Sequence, residues 1–130
     1  MQKSQIQAAL AVSFLVLVGR CQAQCVPTVT FENRSGSDAL VNLVGPAVFP
    51  VAVPDGSVRT VSVSGGIYYT LTRYGTPGHY DYWRGDSFAV RQFFTPSGSS
   101  CSRISITLHK VANGNYATRP TSAAEFEGAR

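Results

Sequence analysis

From Thr28 to Lys110 the chain is a series of short runs in which apolar and polar residues alternate, each closed by Gly, Pro, Asn, Asp or Ser. Successive strand side chains point to opposite faces, so a period of two yields one apolar and one polar face, where a helix would need a period near 3.6. Val29 and Phe31 share a face in the first run, and Asn33-Arg34-Ser35-Gly36-Ser37 supplies a turn. The run Ala39 to Val44 directs Val41 and Leu43 inward and ends at Gly45-Pro46. Val51 and Val53 form a short third run, flanked by Pro50 and Pro54 as an edge strand would be. Pro54-Asp55-Gly56-Ser57 reads as a hairpin turn into Val58 to Val63.

After Gly65-Gly66, Ile67, Tyr69 and Leu71 face one way and Tyr68, Thr70 and Thr72 the other, until Tyr74-Gly75-Thr76-Pro77-Gly78 breaks the strand. The stretch His79 to Gln92 is interrupted at Arg84-Gly85-Asp86, with Phe88 and Val90 inward beyond it. In the last run, Arg103 to Lys110, Ile104, Ile106 and Leu108 alternate with polar residues. About seven strands in this span predict an all-β fold, an immunoglobulin-like or fibronectin-like sandwich.

The first residues predict that this fold is exported from the cytoplasm. Lys3 precedes an apolar run from Ala8 to Val18, and Cys21-Gln22-Ala23 suits a signal peptidase, so residues 1–23 read as a cleavable signal peptide. The run is shorter than the roughly 20 apolar residues that span a bilayer and has no basic stop-transfer cluster, so no transmembrane anchor is expected. Arg20 and Gln24, which precede Cys21 and Cys25, argue against a lipid-modified cysteine. The expected product is secreted or periplasmic. It has a β-sandwich domain over 24–112 and a tail over 113–130, in which Asn113-Gly114 marks a turn. Within the tail Ser122-Ala123-Ala124-Glu125 matches a capping box, which predicts a short C-terminal helix that needs Phe126 or Tyr116 docked on the sandwich to persist.

Export permits disulfides, and the mature chain holds two cysteines, Cys25 and Cys101, which are expected to pair. Cys25 lies three residues before Thr28 and Cys101 three before Ile104. Those matching offsets predict that the first and last strands run side by side in the same direction, with the disulfide tying their starting ends. Loss of Lys3 and Arg20 from eleven cations leaves nine against seven acids, a formal charge of about +2. The cations are scattered singly, whereas nucleic-acid binding needs a clustered patch or stripe, so nucleic acid is not an expected partner.

The segments Val53-Pro54-Asp55-Gly56, Val61-Ser62-Val63 and Gly65-Gly66-Ile67-Tyr68-Tyr69-Thr70-Leu71, with the final apolar strand to Leu108, resemble small bacterial surface domains of the PEGA and carboxypeptidase-regulatory type. That resemblance spans about 60 residues, carries no catalytic residues, and implies an accessory, structural or binding module.

The residues themselves point to binding rather than to catalysis. His79 and His109 are the histidines, and no Gly-x-Ser-x-Gly elbow surrounds any serine, so no enzyme is expected. His109 alternates outward with Thr107. His79 lies near Asp81 and Asp86 in sequence, but the three lack a recognised ligand spacing, so no metal or other cofactor is expected. Tyr74, Tyr80, Asp81, Tyr82, Trp83 and Arg84 form the densest aromatic segment and are the candidate binding residues for a protein or carbohydrate partner. Flat rings stack on sugars or on protein surfaces at small entropic cost. Alternation sets Tyr80 and Tyr82 opposite Trp83, so a second reading seats Trp83 in the core and leaves the tyrosines as amphipathic strand residues. Arg84-Gly85-Asp86 spells the integrin-recognised tripeptide at a turn that would expose it, and it also reads as a plain turn. Asn33-Arg34-Ser35 is a glycosylation acceptor in a eukaryotic secretory pathway and a turn in a bacterium.

Overall fold

The computed structural model describes residues 25–96, 98–110 and 115–129. The signal-peptide expectation and the Asn113-Gly114 turn lie outside them.

The alternating runs fold as strands, and the described residues are all-β apart from one short C-terminal helix. A three-stranded sheet sets β1 (Thr28–Asn33) between β4 (Val58–Ser62) and β10 (Arg103–Leu108). A larger sheet runs in the order β11 (Thr118–Pro120), β6 (His79–Gly85), β5 (Gly66–Thr76), β2 (Ala39–Val44), β3 (Val48–Val53), with β7 (Phe88–Val90) pairing the start of β5. A separate hairpin joins β8 (Gln92–Thr95) to β9 (Gly98–Cys101). Val29, Phe31, Ile106 and Leu108 of the first sheet pack with Val41, Leu43, Val51, Val53, Tyr68 and Tyr74 of the second in one buried cluster. Every residue assigned inward on β1 and β2 is fully buried, as the period of two requires.

β1 and β10 are parallel neighbours in the register Thr28↔Arg103 to Asn33↔Leu108. The Cys25–Cys101 disulfide joins their starting ends across a Cα separation of 6.0 Å. Both features agree with the matching cysteine offsets.

Three local readings need correction. The Pro54-to-Ser57 turn forms, with the Ser57 amide donating to the Pro54 carbonyl at 3.0 Å and Gly56 at φ +76°. The strands it joins do not pair, however: β3 lies on β2 while β4 crosses to the open side of β1, so the segment passes between sheets. β5 does not break at Tyr74, because Gly75 and Thr76 still pair with Tyr80 and His79, and Pro77-Gly78 alone makes the turn with Gly78 at φ +88°. The strand count exceeds seven because the uncharged Phe93 to Cys101 stretch forms its own hairpin and part of the tail joins the large sheet.

That tail contributes β11, which pairs Trp83 to Gly85, and then α1 (Ala123–Gly128). Ser122 caps α1 by accepting from the Glu125 amide at 3.1 Å, as the capping box requires. Phe126 is fully buried on the face of the large sheet that points away from the main core. A six-residue helix persists there because its one large apolar side chain has a seat.

Candidate functional site

The turn at Pro77-Gly78 folds β6 back along β5 in the register Leu71↔Arg84, Arg73↔Tyr82 and Gly75↔Tyr80. A period of two then sets Tyr80, Tyr82 and Arg84 on the outer face, beside Tyr69 and Arg73 of β5. The rings and guanidinium groups interleave diagonally. Arg73 lies 4.2 Å from the centre of the Tyr80 ring and 5.5 Å from that of Phe126, and Arg84 lies 4.1 Å from that of Tyr69. Tyr80 meets Tyr82 edge-on at 6.2 Å, and Tyr82 meets Phe126 at 5.6 Å. Cation–π and edge contacts of this kind fix ring orientation in addition to burying area.

Glu125 of α1 closes the arrangement by pairing with Arg84 and accepting from Thr121 Oγ1. The Thr121 hydrogen bond, with the Arg84 guanidinium adding to it, holds its carboxyl below the usual glutamate range against the opposing effect of desolvation. Beneath the helix Asn42 is fully buried. Its Nδ2 donates to the Phe126 carbonyl at 3.4 Å, while its Oδ1 has no partner among the described residues.

β11 covers only the last three residues of β6. The Thr121 amide donates to the Tyr82 carbonyl at 2.8 Å, and the chain then leaves for α1. The edge of β6 at Tyr80 and Asp81 therefore borders an open groove of ≈ 450 Å³ lined by Tyr80, Asp81, Tyr82, Trp83, Lys110, Pro120 and Thr121. Lys110 Nζ stands 3.5 Å from the exposed Asp81 carboxylate. Half-exposed tyrosines, a cation and a carboxylate thus meet at one concavity, which offers stacking surface with hydrogen-bonding groups at its margin.

The structure gathers five of the six candidate residues and separates the sixth. Tyr80, Asp81, Tyr82 and Trp83 line the groove, and Arg84 continues the outer-face row. Tyr74 is 2% exposed on the core side of β5 and presents no surface. Its hydroxyl donates to the His109 carbonyl at 3.4 Å, and burial pushes its phenol pKa well up. Trp83 is half-buried against the core, so it divides between the two readings. Its inner side borders a cavity of ≈ 10 Å³ shared with Thr70, Thr72, Thr107 and Tyr116, room for about one water. Sequence reasoning missed Tyr69, Arg73 and Glu125 as members of the row. The i, i+2 and i+4 spacing of Tyr69, Leu71 and Arg73 on one strand was the available signal.

Other sequence candidates resolve into structural roles. Arg84-Gly85-Asp86 is not an exposed turn: Arg84 is engaged by Glu125 and Tyr69, and Gly85 is buried beneath the Tyr116 ring. Burial pushes the Tyr116 phenol up, and its hydroxyl donates to the Asp86 carbonyl. Asn33 is fully buried, its Nδ2 donating to the carbonyls of Ser37 and Val53 at 2.8 and 2.7 Å and its Oδ1 accepting from the Ser35 amide at 3.0 Å. The turn reading describes it, and the folded chain offers no free amide there for a glycan. His79 is exposed and borders an open hollow of ≈ 390 Å³ with Ser37, Asp38 and Asp55 rather than with Asp86. Among the described residues no group of three or more His, Cys, Asp or Glu side chains is gathered closely enough to hold a metal ion. No helix among them is long and apolar enough to cross a membrane.

Compared with known protein families, curated proteins and solved structures, the chain matches none. The likeness to PEGA and carboxypeptidase-regulatory domains therefore reaches no further than an all-β fold of several sheets.

Proposed function

We propose that this chain is an exported, non-catalytic module, an immunoglobulin-like or fibronectin-like β-sandwich that binds a protein or glycan partner through the Tyr80–Tyr82 face. The observation that carries this reading is the placement of two half-exposed tyrosines, each braced by Arg73 or Phe126, beside an open groove with Asp81 and Lys110 at its margin. Braced rings lose little further freedom when a ligand stacks on them, which favours recognition. Secretion or residence in a periplasm fits both the apolar N-terminal run and the disulfide. The absence of a catalytic role is part of the proposal. His79 is exposed, and no hydrogen bond joins it to Asp38, Asp55 or Ser37 among the described residues.

A second reading, a structural or assembly subunit of a cell envelope or extracellular matrix, draws on two open strand edges, β3 and the first half of β6. Such edges accept an added strand, although Pro50 removes one donor from β3.

Glycan-array and cell-wall pulldown binding separate the two. Wild type is compared with Tyr80→Ala/Tyr82→Ala after circular dichroism and mass have verified the fold and the disulfide. Binding by wild type and its loss in the folded variant is the expected result. Binding that survives in the variant overturns the assignment of this face, and no binding by either protein moves the reading to assembly.

A further inference from the structure

Five of the six large hydrophobic residues that remain exposed among those described are Val26, Val48, Ile67, Phe93 and Phe94; the sixth is Val58. Contacts place the five at one end of the molecule. Cys25 is bonded to Cys101, its amide donates to Ser99 Oγ at 2.6 Å, and its carbonyl accepts from Gln92 Nε2 at 2.7 Å, so β8 and β9 stand beside the N-terminal entry. Val63 donates to the Pro27 carbonyl at 3.0 Å, Gly66 pairs with Val90, and a side chain at Gly66 would meet Pro46. Ile67 and the Pro46-to-Val48 turn therefore belong to the same end.

Most carboxylates lie away from this end. Asp38, Asp55 and Asp81 sit at the far end, where Asp38 accepts from Asp55 and Asp81 faces Tyr74. Glu32 lies toward that end opposite Val58, Glu125 and Glu127 lie on α1, and Asp86 follows β6. The sequence from Gln92 to Ser102 carries no charge, and Arg91 and Arg103 flank it. Arg91 is tied to the base of this end, its carbonyl accepting from Ser102 and its amide donating to Ser102 Oγ.

We propose that the β8–β9 hairpin is a membrane-docking tip that enters the interface of an anionic bilayer. Phe93 and Phe94 are 52% and 65% exposed and adjacent on one strand, so they project from opposite faces of the two-stranded hairpin. A groove on a protein partner covers one face of such a ribbon. A fluid medium that surrounds the tip buries both. Four strand residues extend about 13 Å, enough to carry both rings through the roughly 5–10 Å of the headgroup and acyl boundary. Arg91 and Arg103 then stand at the level of the lipid phosphates, with no carboxylate on the hairpin to repel them.

The test uses protein exported from a secretory host, its N-terminus read by mass spectrometry, mixed with vesicles of phosphatidylcholine alone or with phosphatidylglycerol. Co-sedimentation is expected with the anionic vesicles, weakened by salt. Phe93→Ser and Phe94→Ser are each expected to weaken partitioning roughly tenfold, and the double variant to abolish it. Val58→Ser, at the remaining exposed hydrophobic residue, leaves it unchanged. As a second measurement, Phe93→Trp and Phe94→Trp each gain a blue-shifted emission component on adding vesicles. No sedimentation by wild type, or binding indifferent to both substitutions, overturns the proposal. Sensitivity to only one phenylalanine also overturns it, in favour of a one-sided groove on a protein partner. Because the Tyr80–Tyr82 face is elsewhere, failure of this proposal and failure of the binding reading register in different assays.

Discussion

The molecule holds two aromatic groups that differ in how their rings are partnered. On the outer face of the large sheet Tyr80, Tyr82 and Tyr69 each meet another ring or a guanidinium group, and Phe126 closes the row from the tail. On the β8–β9 hairpin Phe93 and Phe94 face Ser100 and Ser99 and remain more than half exposed. Both groups are built from aromatic-rich strands, so composition does not distinguish them. The distinction comes from neighbours: a wide sheet supplies a diagonal partner for every ring, and a two-stranded ribbon supplies none. The first group is a fixed surface that a ligand meets ready-made, and the second is uncovered apolar area that becomes stable only when something else removes it from water.

The largest effect expected from breaking this contrast follows reduction of Cys25–Cys101. The bond spans 76 residues, and in the chain-entropy model its loss removes about 4 kcal/mol of stability. Its local consequence is uneven. Cys101 ends β9 and Cys25 contacts Ser99 and Gln92, so the hairpin loses its anchor while the outer-face row keeps all its contacts. Urea titration reads the total. Hydrogen exchange under mild reducing conditions is expected to accelerate in 92–101 before 80–84, and equal acceleration in both would show that the two regions open as one unit.

Phe126→Ala acts on the other group. Removing a fully buried phenylalanine costs about 3 kcal/mol where the site does not collapse. Here it also takes a contact from Arg73 and from Tyr82. Near-UV circular dichroism is expected to lose tyrosine signal while the Phe93 and Phe94 tip behaves as in wild type. An unchanged urea midpoint would mean that α1 adds nothing to the stability of the sheet beneath it.

Much of the fold was legible in the sequence, and the contrast between the two aromatic groups was not. Alternation identified the inward residues of β1, β2 and β10, and the cysteine offsets specified a parallel pairing that local patterns seldom reveal. The capping box located α1 because capping depends on four adjacent residues. What escaped depended on partners distant in sequence. Tyr74 belongs to the aromatic segment by position, yet β5 continues two residues past it and turns its ring into the core. Arg84 and Glu125 are 41 residues apart and meet only because β11 returns the tail to β6. The β8–β9 hairpin lacks alternation because neither of its faces packs on the main core, so the pattern that marks a half-buried strand is missing there.

The smallest expected effect concerns acid. Thr121 and Arg84 hold the Glu125 carboxyl below the usual glutamate range. A carboxylate whose folded pKa is depressed adds stability at pH above its unfolded value, and that contribution is lost as pH falls through the folded pKa. The Glu125 side chain is 35% exposed and its pair with Arg84 reaches solvent, so the contribution is modest and screened by salt. In chemical-shift titrations α1 and Tyr82 are therefore expected to loosen as acid carries the pH down through the depressed Glu125 pKa, while Phe93 and Phe94, which have no titrating neighbour on their hairpin, stay unchanged. Glu125→Gln is expected to remove the acid transition at Tyr82 and to leave a helix that is slightly weaker at neutral pH. If the transition persists in that variant, a carboxylate other than Glu125 controls the docking of the tail, and Phe126 is what the tail contributes to bracing the outer-face row.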